Sequence, residues 1–383
     1  MVLRNIAAGV CILALGVTAA SADLAISGND GKQVRAGDGL PMTPTPDSIA
    51  VIAFSGQSAP RVIGTLAACG TIMGPPLSVA MAPDYSFALA ACPQKIVADG
   101  KPAADNSVNV IGLDDPTHPA LLQTAEAGAG ATAIALNAKG TRALVTGVGD
   151  DTVTLFGIEN RRLTRKGQVK LDAKAEPRAV FIGPDGKTAW ALRFGDGKAT
   201  RLRIDGDGLS RVADYDVGTQ PDGGALTADG RYLIVNVFGG VPGVTTKGAT
   251  VVLDAHTGRR TDVQEVGALP EHVVLSPDGR HVAVVVGNGS ATVRHAANYN
   301  SVFGKLALFS LAGGKLSPVA DAQLGHACQG AVWTADGKRL LVQCSVERDI
   351  RTFDFDGKAL TFRPEMTLRF ESRPGAIAAG RTR

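Results

Sequence analysis

Short Val-, Ala- and Leu-rich segments recur along the chain, each followed by a turn of the form Pro/Ala-Asp-Gly, a basic or polar residue and a second apolar segment. Val273-Val-Leu and Val282-Ala-Val-Val-Val are too short for helices and rich in β-formers, so they read as paired strands. Asp-Gly supplies the positive backbone angle that a tight hairpin needs. The turns are Met81-Ala-Pro-Asp-Tyr85, Asn137-Ala-Lys-Gly140, Gly183-Pro-Asp-Gly186, Thr227-Ala-Asp-Gly230, Ser276-Pro-Asp-Gly279 and Thr334-Ala-Asp-Gly337, with a degenerate copy at Ser27-Gly-Asn-Asp-Gly31. Their last residues lie 44 to 58 positions apart, which predicts seven units of about 50 residues. Nine residues ahead of six of these anchors stands Pro76, Ala131, Pro177, Pro221, Pro270 or Cys328, a second marker in the same register.

Between successive hairpins lie two further candidate strands, for example Ala249-Thr-Val-Val-Leu-Asp254 and Arg260-Thr-Asp-Val-Gln264. Four strands per unit, seven times over and without a helical period, predict an all-β fold: a seven-bladed propeller of four-stranded antiparallel blades. The chain stops soon after Arg373-Pro-Gly-Ala-Ile-Ala-Ala-Gly380, which begins like another unit but lacks its hairpin turn. Pairing it with the segment Leu24-Ala-Ile-Ser27 and the Asp30-Gly31 turn would complete that blade and remove an open sheet edge.

Units that run from a Pro marker to Pro-Asp-Gly-[Lys/Arg], followed by strands such as Tyr232-Leu-Ile-Val-Asn236, resemble the YVTN-repeat, lactonase-like family of seven-bladed propellers across essentially the whole chain after residue 22. Thr188-Ala-Trp-Ala-Leu-Arg193 and Arg339-Leu-Leu-Val-Gln-Cys344 depart from the eponymous tetrapeptide. The family includes surface proteins, sugar-lactone hydrolases and redox-enzyme propellers, so the resemblance implies a fold and leaves the activity open. No catalytic residue carries over by motif.

The N-terminus reads Met1-Val-Leu-Arg4, an apolar run from Ile6 to Ala20 and then Ala20-Ser21-Ala22, the pattern of an export signal over residues 1–22. The run is shorter than the roughly 20 apolar residues of a membrane anchor. A single domain spanning 23–383, periplasmic or secreted and without membrane insertion, is therefore expected. Four cysteines remain beyond the signal: Cys69, Cys92, Cys328 and Cys344, an even number in an exported chain. Three connectivities are possible. Cys328 and Cys344 lie nine before and seven after the same anchor, which makes them cross-strand neighbours and favours Cys328–Cys344 with Cys69–Cys92.

Composition narrows the functional classes. With 45% apolar and 20% charged residues and a net charge of +3, the chain carries no nucleic-acid footprint. Cys-x-x-Cys-His, Gly-x-Ser-x-Gly, a phosphate loop and HExxH are all absent, so no cofactor is expected. His326-Ala-Cys328 is a two-ligand pair without a supporting cluster, too little for a metal site.

Candidate chemistry comes from the repeat itself. The residue one past each marker begins an inner strand and should recur around the mouth of the central channel: Leu77, Thr132, Arg178, Asp222, Glu271 and Gln329, with His272 beside Glu271. The loops after the second strands reach the same face and add Lys95, Arg193, Asn236, Asn288, Glu347 and Arg348. Solvated strand starts would also be polar, but opposite charges and an imidazole around one funnel suit a ligand. Two functions follow. One is a scaffold that binds a small ligand or periplasmic protein without chemistry, the leading expectation. The other is lactone hydrolysis, with a carboxylate or His activating water and Arg178 polarising the carbonyl.

Overall fold

The computed structural model describes residues 23–33, 44–55, 58–97, 100–290 and 294–380; the export signal expected at 1–22 lies outside them. Seven antiparallel sheets stand around a common axis. Blade 1 combines the inner strand Arg373–Ala379 with Asp23–Asp30, Ser48–Phe54 and Arg61–Leu66. Blade 2 runs Val79–Met81, Phe87–Ala91, Ser107–Gly112 and Ala120–Glu126. The inner strands of blades 3 to 7 are Ala131–Leu136, Pro177–Ile182, Pro221–Leu226, Pro270–Leu275 and Cys328–Trp333, each followed outward by three more strands in chain order. Among the described residues the helical content is one 3-10 turn at Pro364–Met366.

The core is not central. It is divided into seven apolar clusters, one at each seam between neighbouring blades. Alternation along a strand sends successive side chains to opposite faces, and both faces of a blade meet a neighbour, which is why the second strands are apolar almost throughout. Leu233 and Val235 thus face blade 4 while Tyr232 and Ile234 face blade 6. The seam between blades 7 and 1 carries the smallest cluster, built on Ala25, Ile52, Phe54, Val332, Leu341, Ile350 and Ile377. Polar clasps supplement it: Gln343 Nε2 donates to Ser27 Oγ at 2.8 Å and to Ala376 O at 3.0 Å, and Ala335 N donates to Asp23 Oδ2 at 2.9 Å.

The ends of the chain close the ring, with Ala25 opposite Ala379 and Ser27 opposite Ile377. One expectation is corrected. Ser27–Gly31 is not a hairpin turn: residues up to Asp30 belong to the second strand of blade 1, whose inner neighbour comes from the far end of the sequence and not through a hairpin. The Asp30 carboxylate instead accepts the N–H groups of Lys32, Gln33 and Ile72.

The other turns match their sequence. Gly140, Gly186, Gly230, Gly279 and Gly337 all have φ between 63 and 70°, and Tyr85 adopts 61° without being glycine. In each Ser/Thr-x-Asp-Gly copy the Asp carboxylate accepts an N–H two residues on, as Asp229 does from Arg231, and a hydroxyl from two residues before, as from Thr227. These contacts hold Asp229 below the usual carboxylate range, the Thr227 hydroxyl contributing most.

Candidate functional site

The strand starts and the long connections share the face opposite the hairpin turns. Chain enters each inner strand of blades 3 to 7 through a left-handed residue: Gly130, Glu176, Gln220, Leu269 and Ala327, with φ from 45 to 67°. Four of these are not glycine, so backbone strain is concentrated on this face.

Arg178, Asp222 and Glu271 start the inner strands of blades 4, 5 and 6. Arg178 NH1 donates to Asp222 Oδ1 at 3.0 Å, and Arg178 NH2 lies 3.9 Å from Glu176 Oε2. Asp222 is buried, and its Oδ2 has no hydrogen-bond partner among the described residues. Burial pushes its carboxyl up to about 6, against the pull of Arg178. Glu271 is raised well above the usual carboxylate range, first by desolvation and then by the Asp222 charge, with Arg178 opposing. The group therefore holds a guanidinium, a carboxyl paired with it and a second carboxyl that keeps its proton more tightly than an ordinary glutamate.

Close approach of the strands makes this possible. A Cβ on Gly223 would fall 2.3 Å from Glu271 O, so only glycine lets the starts of blades 5 and 6 come together here.

The remaining candidates divide. Thr132 Oγ1 donates to Gly130 O at 2.7 Å. Gln329 Nε2 donates to Ile72 O at 3.1 Å, while its buried Oε1 has no partner among the described residues. Leu77 packs on the apolar clusters between blades 3 and 4 and between blades 4 and 5. His272 is buried, and its Nδ1 accepts the Ala331 N–H at 3.0 Å, a bridge between the inner strands of blades 6 and 7. Desolvation lowers its imidazole to about 4, so it is neutral at physiological pH and spent on the seam. Asn236 is also buried, accepting the Thr250 hydroxyl at 2.8 Å, with Nδ2 lacking a partner among the described residues.

Arg193 points away from the channel mouth. Its guanidinium is fully buried among Asp172 at 2.6 Å, Asp214 at 3.0 Å, Asp196 and the Thr200 hydroxyl, and Arg211 shares Asp172 and Asp214. Hydrogen bonds from Arg211 and then Arg193 hold Asp172 well below the usual carboxylate range. Lys95 sits on a side hairpin, Gln94–Ile96 with Pro102–Ala104, and lies 3.7 Å from Asp105. Arg348 donates to Glu371 O at 3.3 Å. Asn288 helps line a shallow groove of about 350 Å³ with Phe303, Lys305 and Asp321.

The cysteines pair as favoured: Cys69–Cys92 with Cα atoms 5.7 Å apart, and Cys328–Cys344 at 3.8 Å, next to a register shift between Cys328 and Ala331. Neither half of His326-Ala-Cys328 is free for a metal. His326 Nδ1 meets Glu347 Oε1 at 2.5 Å and Nε2 meets Tyr299 O at 2.6 Å, with the Tyr299 ring stacked at 3.9 Å. Cys344 lies near Glu347 and Asp349, but its sulfur belongs to the disulfide.

Two features escaped the sequence reading. Phe194 and Phe238, the residues after the second strands of blades 4 and 5, meet edge to face at 5.9 Å, and the Arg178 guanidinium lies 3.4 Å over the Phe194 ring. Both aromatics are partly exposed. The connection Thr71–Gly74 crosses the other side of the mouth: a Cβ on Gly375 would lie 2.6 Å from Ile72, and one on Gly74 would lie 2.8 Å from Thr132. The Cys69–Cys92 disulfide anchors this segment, which among the described residues covers the inner-strand starts of blades 1, 3 and 7.

No protein-family model and no curated protein matches the chain. Solved structures do. A periplasmic gluconolactonase of Pseudomonas aeruginosa superposes with a TM-score of 0.70 at 15% identity, covering 95% of this chain and 100% of its own. A Bacteroides fragilis protein provisionally named a 6-phosphogluconolactonase gives 0.68 at 16% identity, over 94% and 98%. Hydrazine synthase of Kuenenia stuttgartiensis gives 0.58 at 18% identity, over 75% and 78%. The chain has the seven-bladed propeller fold of lactonase-like proteins, as its repeat implied.

Proposed function

We propose that the sector of the channel mouth formed by blades 4 to 6 hydrolyses lactones. One observation carries this reading: a guanidinium and two carboxyls from three adjacent inner strands converge where one buried carboxylate oxygen, Asp222 Oδ2, has no partner among the described residues. Two structural neighbours with lactonase names lend the substrate class. Asp222 Oδ2 takes a proton from water as the water oxygen bonds to the carbonyl carbon, and Arg178 stabilises the developing oxyanion. Collapse breaks the bond to the ring oxygen, which receives the Glu271 proton. The product is a hydroxy acid, and proton transfer from Asp222 to Glu271 through solvent resets the pair.

This puts the emphasis on turnover rather than on the scaffold function favoured by the sequence. Ligand binding without chemistry is the second reading, favoured by the unpartnered Gln329 Oε1, an acceptor that a bound hydroxyl would satisfy. An export signal ahead of Asp23 and two disulfides support a periplasmic or secreted location for either. The deciding experiment measures ring opening of a lactone panel above the spontaneous rate, for the wild type and Asp222→Asn. Turnover lost in the variant supports hydrolysis; saturable binding without turnover in the wild type supports the scaffold.

A further inference from the structure

We propose that the preferred substrate is an uncharged lactone ring seated against Phe194 and Phe238, and that a phosphorylated sugar lactone is rejected. The inference rests on the hydrolytic reading of the mouth and specifies its substrate. Two cations stand among the starts of the seven inner strands: Arg373, which opens blade 1 and donates from Nε to Gln33 O at 3.2 Å, and, within the column Gly375, Leu77, Thr132, Arg178, Asp222, Glu271 and Gln329, Arg178. Arg178 is already engaged by Asp222 at 3.0 Å and has Glu176 at 3.9 Å. Lys32, beside the start of blade 1, is committed to Asp47 at 2.6 Å and Asp30 at 3.5 Å, and Arg193 is turned away from the mouth and held by three aspartates.

A phosphate carries a charge near −2 at neutral pH. Recognition of such a group normally uses an arginine fork or a row of unspent N–H donors. Here it would meet the Asp222 and Glu176 carboxylates around one occupied guanidinium, and like charges brought together at a site cost binding. The aromatic pair offers the opposite chemistry. Phe194 is covered on one face by Arg178, but Phe238 continues the wall beside it, an apolar surface next to the polar trio that suits the C–H face of a neutral ring.

Two measurements on the disulfide-intact chain test this. Hydrolysis of glucono-1,5-lactone and of its 6-phosphate is compared; kcat/KM is expected to favour the neutral compound by at least about tenfold, and equal or better use of the phosphate overturns the inference. Calorimetric binding of glucose and glucose 6-phosphate reads the same preference without turnover. Binding of glucose alone with no hydrolysis of any lactone would uphold the charge selectivity while removing the hydrolytic reading; tighter binding of the phosphate, or binding of neither, would overturn the selectivity as well. For the aromatic wall, Phe238→Ala is expected to raise KM severalfold with kcat within about twofold, and an unchanged KM would remove the wall from the site.

Discussion

The two faces of the ring solve the same backbone problem with different residues. On the hairpin face the left-handed position is filled by glycine in five turns, and each neighbouring Asp or Asn side chain is satisfied by the turn itself. On the channel-mouth face four of five such positions are Glu176, Gln220, Leu269 and Ala327, and the Asp222 and Glu271 carboxyls just beyond two of them are raised by desolvation, Asp222 Oδ2 having no partner among the described residues. Connections differ as well. The hairpins are uniform, whereas the loops between second and third strands range from the four residues 194–197 to the eighteen residues 287–304. One face is built for stability and the other carries strain, variable length and shifted titrations, the usual signature of a working surface.

The largest expected effect tests whether hairpins or sheet pairing hold the ring. Blade 1 has no hairpin on its inner strand, so deleting residues 373–383 removes only pairing and packing. The melting temperature is expected to fall by about 10 °C or more; a change within a degree would mean the closing strand adds nothing. Next is activity. Asp222→Asn should lower lactone turnover by about 100-fold or more, while Asp229→Asn on the opposite face leaves it unchanged. Equal losses would erase the distinction between the faces.

Asp222 and Asp229, one from each face, shift in opposite directions. The Asp222 carboxyl is raised to about 6, so the folded state holds its proton more tightly than the unfolded chain. Its contribution to stability is present below about pH 4 and is lost as pH rises through about 6. Asp229 is lowered, so its contribution is present above about pH 4 and is lost as pH falls through its depressed value. Melting curves between pH 3 and 7 should therefore show Asp222→Asn gaining on the wild type as pH rises and Asp229→Asn falling behind it. The same titration predicts an acid limb near pH 6 in kcat/KM.

The smallest effects test the backbone. A Cβ on Gly279 meets no atom within 4 Å, so Gly279→Ala isolates the left-handed strain and is expected to cost about 1 kcal/mol in denaturant unfolding. Gln220, exposed at φ 58°, is the reverse case: Gln220→Gly should be neutral or stabilising by less than about 1 kcal/mol.

This contrast also explains what the sequence disclosed. Turn chemistry is local, so Ser/Thr-x-Asp-Gly announces its own geometry and the blade count follows. The starts of the inner strands were legible because they keep a fixed offset from those turns. Asp30-Gly31 misled because it copies the local signal on a strand whose inner neighbour comes from the far end of the sequence and not through a hairpin. Arg193 was misplaced because its partners, Asp172 and Asp214, lie 21 residues to either side and are brought to it by cross-strand pairing. His272 binds a neighbouring blade across 59 residues, and Phe194 and Phe238 sit where no periodicity marks them.

Pairing of Asp23–Asp30 with Arg373–Ala379 also makes the order of the blades along the chain permutable. Asp23 and Ala379 lie at the same end of two paired strands, where the other blades carry a short hairpin. A brief linker from Gly380 to Asp23 would supply a seventh such hairpin, and the chain could then be opened at an exposed turn such as Pro277–Gly279. Circular permutants of this kind would retain every strand pair and every seam, because the architecture is defined by the ring and not by which blade comes first in the sequence.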